Sequence, residues 1–241
     1  MSRISEYRDM GRSVTRLVLP VLIEQFFIVI MGVVNTMLAS NLGPESISAI
    51  GMVDSISFII ISVFGALAVG GTVVVAQYTG RGERLLANKA AAQALLSCLA
   101  ISLAITALIF IYQEPLLQML YSEAEPDVMN NALAFMRINL WSYLPLALLS
   151  VAFGILRGAG DTRTPMIVSI LMNLLNVILS YTLIYGISLN WGILRLNTPA
   201  FGIDGAATGI SLARLVGAIL ILIPLLGGSK DIQILRSDFL S

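Results

Sequence analysis

The chain is 241 residues long, 57% hydrophobic and only 12% charged, with 14 basic and 14 acidic residues and a mean hydropathy of +0.90. An ordinary soluble domain carries about 25% charged residues, so lipid rather than water has to cover most of this exterior. Zero net charge gives no electrostatic case for a nucleic-acid partner, and a single cysteine, Cys98, with no histidine excludes an internal disulfide and a thiolate metal cluster.

A membrane-spanning helix needs roughly 20 mostly apolar residues, and six stretches of that kind follow one another. The first, about 17–40, comes after an arm carrying Arg3, Arg8, Arg12 and Arg16 and is too long for the core of a cleavable signal peptide. The second, 47–78, is long enough to tilt or protrude, with Gly65, Gly70 and Gly71 thinning part of it. The third is 85–112, the fourth 128–156 with Pro145 inside it, the fifth 165–189 and the sixth 202–226. The expected fold class is therefore an all-α integral membrane protein of six transmembrane helices.

The connections set the orientation, because basic residues are retained on the cytoplasmic side. The amino-terminal arm has four, the second connection has Arg81, Arg84 and Lys89, the fourth has Arg157 and Arg163, and the tail has Lys230 and Arg236. The opposite connections hold only Arg195, and the one between helices 3 and 4 is acidic, with Glu114, Glu123, Glu125 and Asp127. Eleven basic residues against one place both termini in the cytoplasm of a cell (plasma or inner) membrane.

An ionisable group inside hydrocarbon costs at least about 2.5 kcal/mol on insertion scales, so such groups face a cavity or a partner. Glu24, beside Gln25 and four residues after Pro20, fits either a proton or cation ligand or a structural hydrogen bond to a neighbouring helix. Asn35 lies three helical turns farther on the same face and could line one path with it, or bond across helices. Asn173, Asn176 and Ser180 follow i, i+3, i+7 spacing and draw a polar stripe along helix 5, which marks a cavity or a tight interface. Asp54 sits early in helix 2 and Arg214 near the middle of helix 6, where an unpaired guanidinium is costly. Arg214 is expected to be a structural charge with a partner; Asp54, Glu24 and Asp204 are the acidic candidates, though Asp204 is about 15 Å away along the same helix. Arg137 is expected to snorkel towards the interface. Gly80-Arg81-Gly82 ends helix 2, and Gly158 to Pro165 forms a tight linker of small residues suited to a hinge. Neither has the G-x-x-x-x-G-K-[ST] pattern of an ATP site.

Leu19 to Leu22, Asn35 to Gly43, Ala76-Gln77 with Gly80-Arg81-Gly82, Leu156-Arg157-Gly158-Ala159-Gly160-Asp161-Thr162-Arg163-Thr164-Pro165, and Gly202-Ile203-Asp204-Gly205-Ala206-Ala207 occur in that order. Together they resemble the amino-terminal half of the multidrug and toxic compound extrusion (MATE) transporters, over nearly the whole chain. The resemblance implies one lobe of a two-lobe, 6+6 transporter. Such a transporter exports small organic, mostly cationic, substrates by alternating access in antiport with protons or sodium, without any cofactor. It further implies a fragment lacking its carboxy-terminal lobe, residues 1–241 being the amino-terminal one, which would need a second six-helix lobe as partner within the lipid. Members commonly carry an Asp on helix 1 where this chain has Asn35, and some carry one on helix 5 where it has Ser180. Coupling then has to rest on Glu24, on Asp54 or on acids of the other half.

Two rival readings stay open. A flippase for lipid-linked sugars would need a strongly cationic cavity, and Arg214 alone does not make one. A non-transporting half-transporter module fits the neutral Asn35. An intramembrane enzyme is disfavoured, since no reacting constellation is present.

Overall fold

The computed structural model describes residues 2–191, 194–228, 234–235 and 238, without side-chain detail for 2–13 and 187–198. Six helices dominate: α1 (Ser2–Ser40), α2 (Pro44–Gly80), α3 (Arg84–Leu120), α4 (Pro126–Gly158), α5 (Arg163–Tyr185) and α6 (Gly202–Gly227). Each contains a stretch apolar and long enough to cross a bilayer.

The helix ends follow local chemistry. Pro44 and Pro126 open α2 and α4 at the first helical turn, where a missing N–H costs nothing. Glu45 and Asp127 sit in those first turns, against the positive end of the helix dipole. Three helices outrun the apolar stretches that predict them. The basic arm is already helical from Ser2, α3 continues through Pro115 to Leu120 and so takes in Glu114, and α2 begins at Pro44. Polar helical turns outside the hydrocarbon leave no mark in hydropathy. Helix α5 falls short of the expected Leu189: it stops at Tyr185 because Gly186 takes φ 69°. The connection then folds as a small antiparallel hairpin, β1 (Ile187–Trp191) against β2 (Leu194–Thr198), with Ile187 opposite Thr198.

The bundle is built around α4. Of its most apolar 18-residue window 67% is buried, against 17–33% for the others, and it packs against α2, α3 and α6 while α5 packs against α6 and α1. Two pairs of small residues make the tightest crossings. On α4, Gly154 and Gly158 lie over the backbone of Ala68 and Thr72 of α2, so that a Cβ on Gly154 would sit 2.6 Å from the Ala68 carbonyl oxygen. On α6, Gly205 and Gly209 lie in the same way over the backbone of Leu183 and Ser180 of α5. This is the small-xxx-small device by which membrane helices gain dispersion contact without a hydrophobic driving force. Gly65 and Gly70 of α2 meet no neighbour within 4 Å, so the thin side of that crossing belongs to α4 and not to α2. Gly154→Val is expected to lower stability by about 1–3 kcal/mol, since two backbones would have to separate. A fall in the unfolding temperature of the detergent-solubilised chain, with no such fall for Gly70→Val, is the outcome that checks it.

Helix α1 is held differently. The Tyr185 hydroxyl donates to the Leu38 carbonyl (2.9 Å) and accepts from the Asn41 amide (2.9 Å), tying the far end of α1 to α5. Farther down, α1 leaves a gap towards α4, and that gap is the cavity described next.

Candidate functional site

A cavity of about 750 Å³ lies between α1, α2, α4, α5 and α6, within the range that encloses a drug-sized solute. Glu24, Asn35, Asp54, Asn173, Asn176 and Ser180 all line it, and so does Arg214. The polar residues that hydropathy cannot explain therefore converge on one space, because lipid would penalise each of them elsewhere. Most of the wall between them is apolar.

Glu24 is 1% exposed and meets Arg157, whose Nη2 donates to both carboxylate oxygens at 2.6 Å. Arg157 belongs to the last turn of α4, where a cation suits the helix dipole; its guanidinium also lies over the Phe153 ring, 5.8 Å from the centroid. Its Nε is buried and donates to no described residue. In the sequence Arg157 reads only as a mark of the cytoplasmic side. The signal for its second role is faint: Leu156 and Gly158 flank it within an unbroken helical pattern.

The stripe on α5 is real and one residue longer than its predicted form. Asn173 donates to the Ser169 carbonyl (2.8 Å) and hydroxyl (3.3 Å), and Ser180 donates to Asn176 Oδ1 (2.9 Å). Ser169 lies four residues before Asn173 and extends the same face. Across the cavity, Asn35 Oδ1 is buried and accepts no hydrogen bond from a described residue.

Arg214 makes its hydrogen bonds to neutral side chains and not to the acids considered for it. Its Nη1 donates to Asn139 Oδ1 (3.0 Å) and to Ser142 Oγ (2.6 Å). Asn139 donates in turn to Ser57 (3.3 Å), whose hydroxyl meets that of the wholly buried Tyr143 at 2.9 Å. Four neutral side chains from α2 and α4 thus hold one guanidinium from α6. Asn139 with Ser142, three residues apart in an apolar helix, is the sequence signal that a search for countercharges passes over. Asp54 faces the cavity and interacts with Arg214 through space. Asp204 stays in the first turn of α6, one carboxylate oxygen buried and without a hydrogen bond from a described residue, and Arg137 is exposed on α4.

The linker expected to serve as a hinge is instead a fastened turn. Gly160 adopts φ 81°, the Asp161 amide donates back to the Leu156 carbonyl (2.8 Å), and the Asp161 carboxylate accepts from the Arg163 and Thr164 amides (3.2 Å each) and from the Thr164 hydroxyl (2.7 Å). Asp161 therefore satisfies the free N–H groups at the start of α5 while closing the end of α4. This explains why Gly, Asp and Thr stand at these positions, and it holds Arg157 in register with Glu24.

Six membrane-length helices, five of them around a solute-sized cavity on which buried polar groups converge, define the class: an integral membrane transporter, multi-pass, of the helical type. Known proteins narrow it. The MatE family model matches residues 20–182. The "Probable multidrug resistance protein NorM" of Thermotoga maritima is 28% identical over 216 residues, 88% of this chain and 44% of that protein. The "Uncharacterized transporter YisQ" of Bacillus subtilis is 30% identical over 216 residues, 89% and 45%. Among solved structures, a MOP superfamily transporter from Pyrococcus furiosus superposes with a TM-score of 0.84 at 25% identity, covering 94% of this chain and 47% of that one. The chain belongs to the MATE family of multidrug efflux transporters, and it spans less than half the length of the relatives it matches.

Proposed function

We propose that this chain is the amino-terminal lobe of a drug exporter that moves small organic solutes outward in antiport with protons or sodium. The carrying observation is the cavity: Glu24, Asn35, Asp54 and the α5 stripe meet in one space between helices whose outer surfaces are apolar. A second six-helix lobe is the expected partner, since alternating access works by rocking two lobes about a shared site. The distribution of Arg and Lys supports a cytoplasmic location for both termini.

The coupling step is assigned to Glu24. In the ionised form it holds Arg157 and ties α1 to the cytoplasmic end of α4; on protonation the carboxyl loses that attraction and α1 is free to move. Sodium remains the alternative ion, with Asn35, Asn176 and Ser180 offering neutral oxygens. Against a lipid-linked sugar flippase stands the balance of charge in the cavity, where Arg157 is already neutralised by Glu24.

Cells expressing the chain together with the carboxy-terminal half of the Thermotoga relative are expected to expel ethidium faster than cells expressing either part alone. Rates equal to vector with both parts present would leave a non-transporting module. Orientation has a separate check, in a Cys98→Ala background. A cysteine replacing Arg81 is expected to react with a membrane-impermeant maleimide only after lysis, and one replacing Glu123 in intact cells. Labelling of both from the same side would overturn the topology.

A further inference from the structure

The face of α4 turned away from the cavity carries a second polar feature. From Asn131 to Gly158 this helix exposes only two side chains, Arg137 and Trp141, the latter to 79%. They continue a stripe that starts at Asp127 and runs through Asn130 and Ala134 at alternating spacings of three and four, so all five residues share one face. Arg137 is the only charged residue between Asp127 and Arg157. The midpoint of that apolar interval is Ser142, which puts the Arg137 Cα about 7–8 Å from the bilayer centre and about as far below the edge of a hydrocarbon layer about 30 Å thick. A charge at that depth on an outer surface needs a counterpart. Arg137 makes no hydrogen bond or ion pair with a described residue, the acids at its end of the bundle included. Helix α6 runs alongside at this level, its Ser211 hydroxyl donating to the Ile138 carbonyl (3.3 Å), and it exposes Leu212 and Leu215.

We infer that this stripe binds the headgroup of a phospholipid that carries a phosphate diester and a primary ammonium, a phosphatidylethanolamine, in the leaflet nearer the connection between α3 and α4. The inference rests on the six spans and not on the exporter reading. Side chains lean towards the amino terminus of their helix, so the guanidinium of residue 137 is carried over Ala134, whose methyl leaves it room, towards the edge of the hydrocarbon. The anion that a bilayer offers at that edge is the lipid phosphate, and a planar guanidinium fork matches it. Asn130, two turns nearer the water, adds an amide donor. Beyond it stand Asp127, Glu125 and Glu123, all exposed. This acidic rim repels a headgroup of net negative charge and attracts an ammonium with N–H donors. Trp141 lies one turn deeper, among the acyl chains. From water inwards the stripe therefore reads acid, amide, base, aromatic, in the order in which the lipid presents ammonium, phosphate and chains.

Trp141 is also the reporter. The chain has two tryptophans, Trp141 and Trp191, so Trp191→Phe leaves one emitter, at the stripe. This full-length variant in phosphatidylcholine nanodiscs is given rising fractions of one acyl-brominated lipid, and quenching of Trp141 reports which lipid sits there. Brominated phosphatidylethanolamine is expected to reach half-quenching at about a threefold lower fraction than brominated phosphatidylglycerol or phosphatidylcholine, the scale of an exposed ion pair. Arg137→Gln is expected to make the three curves coincide, and Asp127→Asn to shrink the preference. Coincident curves with Arg137 in place overturn the site and leave that side chain reaching only to water. A preference for phosphatidylglycerol, or one for phosphatidylethanolamine that survives Arg137→Gln unchanged, overturns it as well. The comparison of lipids with Arg137 in place needs no further variant, so a substitution that fails to fold does not remove the test.

Discussion

Glu24→Gln, with a carboxy-terminal lobe supplied, is expected to abolish pH-driven efflux while the chain still inserts and folds, whereas Arg157→Ala is expected to unfold much of the population. The asymmetry comes from where the two groups stand. Glu24 is nearly sealed from solvent, with its side chain 2% exposed, while that of Arg157 is 29% exposed at the helix end. A glutamine leaves Arg157 able to swing its charge towards the membrane interface at its end of α4, as long basic side chains do. Removing Arg157 takes from the buried carboxylate the one cation it pairs with among the described residues, which costs about 3–5 kcal/mol for a buried pair broken on one side. The double substitution Glu24→Gln with Arg157→Gln leaves no bare charge and is expected to recover most of the stability but none of the pH coupling. Thermal unfolding in detergent separates the three variants, and ethidium efflux under an imposed pH gradient tests the coupling. Unchanged efflux in Glu24→Gln would make the residue a packing element and move coupling to Asp54 or to the other lobe.

Asn139→Leu is the second large effect. Its side chain touches three partners, accepting from Arg214 and Ser142 and donating to Ser57. Leucine would take away an acceptor from a guanidinium in the interior of the bundle, and leaving a charged donor unsatisfied costs about 1–3 kcal/mol or more. Asn139→Asp restores the acceptor and adds an opposite charge, so it is expected to stay close to wild type in unfolding temperature. Equal losses for the two variants would show that shape, and not the hydrogen bonds of Asn139, governs this part of the bundle.

The polar lining of the cavity was more legible in the sequence than the framework that positions it. Glu24, Asn35, Asp54, Asn173, Asn176 and Ser180 could be picked out one by one because a polar atom in hydrocarbon is expensive, and the same expense brings them to one cavity. Pairing was not legible in the same way. Arg157 stands 133 residues from Glu24 in the chain, and the rule that reads arginine as a topological mark is silent about which arginines also reach inward. Arg214 was half legible: Asp54, one of the acids considered for it, acts on it through space, but its hydrogen bonds go to Asn139 and Ser142. The six spans were legible from apolar length alone, but not their ends. Helical turns outside the lipid are polar, so the extensions of α1 and α3 had no hydropathy signature, and the hairpin after Gly186 depended on one backbone angle. The glycines of α4 and α6 were present as a four-residue spacing, and only the three-dimensional crossing shows which glycines meet a neighbour.

The central position of α4 has a consequence for how the protein is made. It is the least apolar of the six spans because the other helices, and not lipid, surround it. Yet it is fourth to emerge from the ribosome. The first three helices must therefore wait in the bilayer with the Ala68 and Thr72 ledge of α2 uncovered, and α4 enters a membrane that suits it poorly until it reaches that ledge. Biogenesis of this lobe is a matter of timing: its early helices are a receptor for their own successor, and a delay between them leaves a semi-polar rod for the quality-control proteases of the membrane to find.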